Sequence, residues 1–161
     1  MKFRAPMCVA LVAMLGLSAC ASTGLSDADR LALHRDNAGA EVNSFSFFGR
    51  LNGWTPLGDS ALAVWTRPGE AWLLELFGPC PDLEYTQAIG LTSSASRVYA
   101  RFDKVLVRGP MSDGIPCNIQ TIRSLDVKAL RESEKQLRDA QIEAREAGAD
   151  GAGAADQPSG T

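Results

Sequence analysis

Ala61-Leu62-Ala63-Val64-Trp65-Thr66-Arg67-Pro68-Gly69-Glu70-Ala71-Trp72-Leu73-Leu74-Glu75-Leu76 is the stretch that decides the fold. Successive side chains of a strand point to opposite faces, so a strand reads with a period of two. Leu62, Val64 and Thr66 share one face of the first arm, and Ala61, Ala63 and Trp65 share the other. In the second arm Trp72, Leu74 and Leu76 oppose Ala71, Leu73 and Glu75. Pro68 and Gly69 stand where a type II turn wants proline and then glycine. Both arms are apolar on both faces, which places this hairpin centrally in a sheet, covered on each side.

Working outward, Phe45 and Phe47 alternate with Ser44 and Ser46 as a half-buried strand. Asn52-Gly53 is one turn signal and Pro56 with Gly58 is another. Trp54 lies between them, and is the aromatic expected to stay partly exposed and offer a binding surface. The remaining aromatics, Phe47, Trp65, Trp72 and Phe102 with Phe45, read as core. Gly78-Pro79-Cys80-Pro81 cannot continue a strand and forms a rigid corner. Gln87 to Leu91 is a short strand and Thr92 to Ser96 a loop. Arg97 to Val107 reads as the longest strand. Val98, Ala100 and Phe102 share a face, Val105 and Val107 have the opposite parity, and a bulge near Asp103-Lys104 would reconcile them. Ile115, Cys117 and Ile119 line one face of the last strand.

The ends of the domain read as helices. Ser26 can cap the first, with Asp27 and Asp29 in its opening turn, Ala28, Leu31 and Ala32 on its apolar face, and Gly39 as the stop. His34, between Leu33 and Arg35, is expected on the solvated surface. Ser124 or Asp126 can cap the closing helix, which runs to Ala147 before Gly148. Its apolar repeat, Leu130, Leu137 and Ala144, is a narrow seam, and Glu134 with Arg138 supports it from outside. That helix docks by its first turns; the alternative is a partner-binding or self-pairing helix. The expected fold is mainly β (α+β): a small, barrel-like antiparallel sheet of about six strands between a short N-terminal helix and a C-terminal helix.

The N-terminus speaks to location. Lys2 and Arg4 precede an apolar run from Met7 to Leu17, the order of a secretory signal peptide. Leu17-Ser18-Ala19-Cys20 at its end resembles the lipobox of bacterial lipoproteins. That resemblance implies removal of residues 1–19 and acylation of Cys20 with fatty acids such as palmitate. Ala19-Cys20-Ala21 also fits ordinary signal cleavage, which would release a periplasmic protein. The run is shorter than the roughly 20 residues a bilayer core requires. Ala21, where lipoproteins kept at the inner membrane carry aspartate, favours the outer membrane, facing the periplasm. Residues 20–25 then form a tether, 26–147 a single β-rich domain with terminal helices, and 148–161 a disordered tail. The chain has 16 basic and 19 acidic residues, and loss of Lys2 and Arg4 with the leader makes it more acidic still. Such a balance excludes a nucleic-acid binder, and membrane attachment rests on the lipid alone.

Cys80 and Cys117 remain once Cys8 leaves with the leader and Cys20 takes lipid. In an oxidising compartment they pair as a disulfide, tying the corner after the hairpin to the last strand. The chain has neither a phosphate loop before a helix, nor a nucleophile elbow, nor a zinc or calcium signature. Asp82 with Glu84, or Asp103 with Asp126, are the carboxylate pairs available on paper; they read as turn residues or partners of Arg101, Lys104 and Arg123. No catalytic residue, cofactor or metal site is therefore assigned. The reading is a non-enzymatic envelope lipoprotein that binds another envelope protein or a cell-wall component. The alternative is a small-molecule-binding or hydrolytic domain around Trp54.

Several segments together resemble an uncharacterised family of small bacterial lipoproteins, a domain of unknown function. They are Leu31-Ala32-Leu33 with Ala38-Gly39, Gly53-Trp54-Thr55-Pro56-Leu57-Gly58-Asp59, Val64-Trp65-Thr66-Arg67-Pro68 and Leu73-Leu74-Glu75-Leu76. Cys80-Pro81-Asp82-Leu83, Arg101-Phe102-Asp103 and Cys117 with Ile122-Arg123 extend the match to about Ala129. The resemblance implies export and a β-rich domain, and brings no activity with it.

Overall fold

Fourteen residues, Ser112–Leu125, form one continuous strand, β9, to which three other strands are hydrogen-bonded. The computed structural model describes residues 24–109 and 112–153. Cys20, the signal segment and the far end of the tail lie outside the described residues. The central hairpin is β4 (Ala61–Arg67) and β5 (Glu70–Leu76), in the register Leu62↔Leu74, Val64↔Trp72. β5 pairs along the C-terminal half of β9 from one edge. On the other edge β8 (Lys104–Gly109) takes the N-terminal half, and β1 (Ala38–Glu41) takes the end, Ala38 opposite Leu125. β3 (Gly53–Pro56) adds outside β4, and β6 (Ile89–Leu91) adds outside β8. The result is a curled antiparallel half-barrel in the order β3-β4-β5-β9-β8-β6. A separate ribbon pairs β2 (Ser44–Ser46) with β7 (Arg97–Tyr99). Helix α1 spans Asp27–Asp36 and α2 spans Val127–Gly153.

The two-faced hairpin has the expected consequence: each face is buried in a different core. Leu62, Val64, Leu74 and Leu76 join Phe45, Val98, Val105, Val107, Ile119 and Ile122 inside the curl. There the Phe45 and Trp72 rings stack, 5.0 Å between centroids. Ala61, Ala63, Ala71 and Leu73 face outward, toward Leu57, Leu125 and Val127, with Leu31 and Trp65 packed at the margin. Three of those four sheet residues are alanine, which leaves room for helices to lie close to the backbone. Cys80 and Cys117 form a disulfide across the inner core, Cα atoms 5.7 Å apart.

Several sequence expectations are corrected. Gly58 has positive φ but Gly69 does not, so the Pro68-Gly69 turn is not type II. A register shift between Trp65 and Arg67 accommodates the turn instead. Arg97 to Val107 is not one bulged strand. It breaks into β7 and β8, which belong to different sheets. The break is held by Asp103, whose carboxylate accepts from Thr92 Oγ1 at 2.6 Å and from the Tyr99 N–H at 2.7 Å, while Arg101 adopts φ 64°. Phe102, expected in the core, therefore projects at the turn and is 74% exposed. Helix α1 ends at Asn37 rather than Gly39, which instead lies in β1. Ser26 and Asp126 do cap the two helices: Ser26 Oγ accepts from the Asp29 N–H, and Asp126 Oδ1 accepts from the N–H groups of Lys128 and Ala129. Helix α2 passes Gly148 and continues to Gly153. The segments β1 and β3 are strands that periodicity did not reveal, being only four residues each.

The disulfide closes a separation of 37 residues, and the chain-entropy relation assigns a loop of that size about 4 kcal/mol. A Cys80→Ala/Cys117→Ala double variant is expected to lose stability on that scale in urea unfolding. An unchanged midpoint would show that the loop is held closed without it.

Candidate functional site

The half-barrel does not close, and its two free edges, β3 and β6, face one another across a cleft of 390 Å³. Trp54 stands on one wall, Ile89, Gly90 and Leu91 on the other, with Phe47 and Leu51 between. The ladders say which backbone groups the cleft receives. On β6, Arg108 donates to the Ala88 carbonyl and Thr92 to the Lys104 carbonyl. Positions 88, 90 and 92 therefore turn their backbone groups toward β8, and Ile89 and Leu91 turn theirs away. On β3, Leu57 donates to the Ala61 carbonyl, which by the same alternation leaves the N–H and C=O of Trp54 on the free side. Pro56 faces the same way and has no N–H to waste. Trp54, Ile89 and Leu91 are half-buried, packed against the inner core. The cleft thus offers apolar side walls and free backbone groups from Trp54 on one edge and Ile89 and Leu91 on the other, with no charged residue lining it; the Pro56 carbonyl is taken by Arg30.

Trp54 is partly exposed in a cleft, but no carboxylate joins it. Asp82 and Glu84 sit at the corner beyond β5, where the Asp82 carbonyl accepts from Tyr85 and Thr86. Asp103 braces the β7–β8 turn and Asp126 caps α2. Arg123 pairs with Glu41 at 3.0 Å and with none of those four. Asp82 and Glu84 line one small pocket of 160 Å³ at that corner together with Asp59, whereas Asp103 and Asp126 serve a turn and a helix cap. Among the described residues no group of three His, Cys, Asp or Glu side chains is placed to hold a metal, and no helix is long and apolar enough to cross a membrane.

His34 is the main surprise. It was expected on the surface and is 4% exposed. Leu31 and His34 are three apart on α1, so they share the face that packs onto the sheet. That spacing was the available signal, masked by the flanking charges Arg30, Arg35 and Asp36. His34 Nδ1 lies 2.8 Å from the Arg30 carbonyl, an arrangement in which Nδ1 carries the proton and donates. The ring lines a second cavity of 410 Å³ between α1 and α2, over Thr55 and Trp65. Burial pushes the imidazole below its ordinary value of 6.5; the Arg30 carbonyl and Glu134 pull the other way without restoring it, and the Arg30 charge adds to the lowering. At the outer face of the sheet, Arg35 Nε donates to Glu75 at 2.8 Å and Thr121 Oγ1 donates to it at 2.9 Å. Burial alone would raise the Glu75 carboxyl, but Arg35, Thr121 and Arg123 together outweigh it and hold it below the usual range.

The family described as "Family of unknown function (DUF6491)" matches residues 2–141. No curated protein and no solved structure matches the chain.

The two shifts act in separate pH windows. A histidine whose folded pKa is depressed refuses a proton that the unfolded chain accepts. Stability therefore falls as pH drops below 6.5, at no more than about 1.4 kcal/mol per pH unit for one proton. Glu75 contributes stability above 4.5 that is lost below it as the carboxylate takes its proton. Between pH 7 and pH 5 the melting temperature is expected to fall, and His34→Gln to flatten that fall (about one proton's worth). Glu75→Gln should lower the melting temperature throughout that range without changing its slope. Scanning fluorimetry across buffers reads both.

Proposed function

Because the chain belongs to the DUF6491 family of unknown function, no activity comes with the kinship, and we propose from the geometry that it is a non-enzymatic binding module of the bacterial envelope. In this reading Cys20 carries the lipid, the domain faces the periplasm from the outer membrane, and the β3–β6 cleft grips an extended segment of another envelope protein. The observation that carries it is the pair of free sheet edges facing one cleft. An extended chain laid between them would satisfy backbone groups on both sides, with affinity from the ladder and selectivity from alternate side chains against Trp54, Ile89 and Leu91. The lipobox supports the anchor, and a tether ending near Leu25 would hold the cleft close to the membrane surface. The hydrolytic alternative draws no support from a cleft whose lining holds neither carboxylate nor histidine.

Ile89→Pro tests the strand. It removes an N–H that faces the cleft and spares the β6–β8 ladder, whereas Gly90→Pro would break that ladder. A photo-crosslinking residue at Ser93, in cells, is expected to give a discrete protein adduct that Ile89→Pro abolishes while the melting temperature holds. Diffuse adducts, adducts to glycan alone, or adducts indifferent to Ile89→Pro would overturn strand capture. Fatty-acid labelling of wild type against Cys20→Ser tests the anchor separately; equal labelling would remove it.

A further inference from the structure

The cavity between α1 and α2 has a composition that the strand-capture reading does not use. Its base is His34, whose Nδ1 is committed to the Arg30 carbonyl. Nε2 has no hydrogen-bond partner among the described residues, and in this tautomer it presents a lone pair. Arg30 is also committed, to Asp27 at 3.2 Å and to the Pro56 carbonyl at 3.0 Å. Arg138 and Glu134 are not. They stand four apart on α2, the spacing of a helix ion pair, yet among the described residues the ion pairs are Arg30–Asp27, Arg35–Glu75, Arg67–Glu70 and Arg123–Glu41. Both line the cavity instead, beside the apolar Leu33, Leu137 and Trp65.

One free cation, one free anion and an acceptor at the cavity base beside an apolar wall are the complement of a zwitterion with an apolar side chain. We infer that this cavity binds a free apolar amino acid or a short peptide bearing both termini, its carboxylate on Arg138, its ammonium between Glu134 and Nε2 of His34, and its side chain against Leu33, Leu137 and Trp65. A volume of 410 Å³ lies in the range of small-molecule sites and has room for such a ligand. Side chains four apart on a helix are neighbours, which suits the short separation of an α-amino acid's two charges. A buried histidine that cannot readily take a proton is suited to accept from an ammonium without repelling it. This inference is independent of the β3–β6 cleft: it uses the opposite face of the sheet and a different tryptophan.

The test is titration of the full chain with leucine, phenylalanine and leucyl-alanine, followed by the indole N–H resonances of Trp54, Trp65 and Trp72. Saturable movement of Trp65 is expected. N-acetylleucine, which lacks the ammonium, and leucinamide, which lacks the carboxylate, should each bind about tenfold or more weakly than leucine, the scale of one lost charge-assisted contact. Arg138→Gln and Glu134→Gln should weaken leucine by a similar factor. Both sit on α2 where substitution leaves the sheet intact, and circular dichroism checks that the fold is kept. The proposal is overturned if none of the three ligands saturates, if only Trp54 responds, if either blocked analogue matches leucine, or if the variants bind as wild type does.

Discussion

Everything in this domain depends on β9 being shared. Ser112–Leu125 lends one edge to β5 and divides the other between β8 and β1. Each half of it has a strand partner, β8 for Ser112–Asn118 and β5 for Ile119–Leu125, so its backbone groups on the paired side are satisfied, which is what lets its buried side chains leave water without penalty. The disulfide enters this strand at Cys117 and leaves it for the corner at Cys80. Next to it, Phe77 donates to the Asn118 carbonyl and Ile119 donates to the Asp103 carbonyl. The bridge therefore sits where β9 passes from one neighbour to the next, the point at which the sheet curls.

The shared strand also separates two chemical environments. Inside the curl, large aliphatic and aromatic side chains fill the space. On the outer face the sheet carries alanines, the helices sit down upon it, and their meeting leaves a cavity with His34 at its base. Where the curl stops short of closure, the two edges leave the cleft. Each candidate site is thus a consequence of packing: one from helices that do not fill their angle, one from a sheet that does not close.

What the sequence revealed, and what it hid, follows from the range of the forces involved. The hairpin Ala61–Leu76 was legible because alternation is local and both its faces are apolar. The half-cystines were legible because reading the N-terminus as a leader and lipid site left only Cys80 and Cys117 to pair. The Arg97–Val107 break was hidden, since Asp103 makes its decisive contacts with Thr92 and Tyr99 through space and parity alone suggested a bulge. Phe102 was misplaced for the same reason. His34 was misjudged because its neighbours in sequence are charged while its neighbours in space are the sheet and α2. The strand β3 was hidden by its own brevity, as Asn52-Gly53 and Pro56 are turn formers that here bound a four-residue edge. Cleft and cavity alike join segments far apart in the chain, which no periodicity reports.

A sheet with two open edges faces the hazard of pairing without limit with copies of itself. Here the edges are three and four residues long, and they face each other instead of pointing apart. Pro56 removes a donor from one, and Gly90 leaves the other with little side-chain surface on its outer face. A second half-barrel approaching edge to edge would meet the facing strand and the Phe47–Leu51 segment before it reached a ladder. A lone extended chain carries no sheet behind it and meets no such obstacle. The same geometry that excludes open-ended stacking is thus the geometry that admits one strand, and the proposed capture uses an opening that the fold has otherwise guarded.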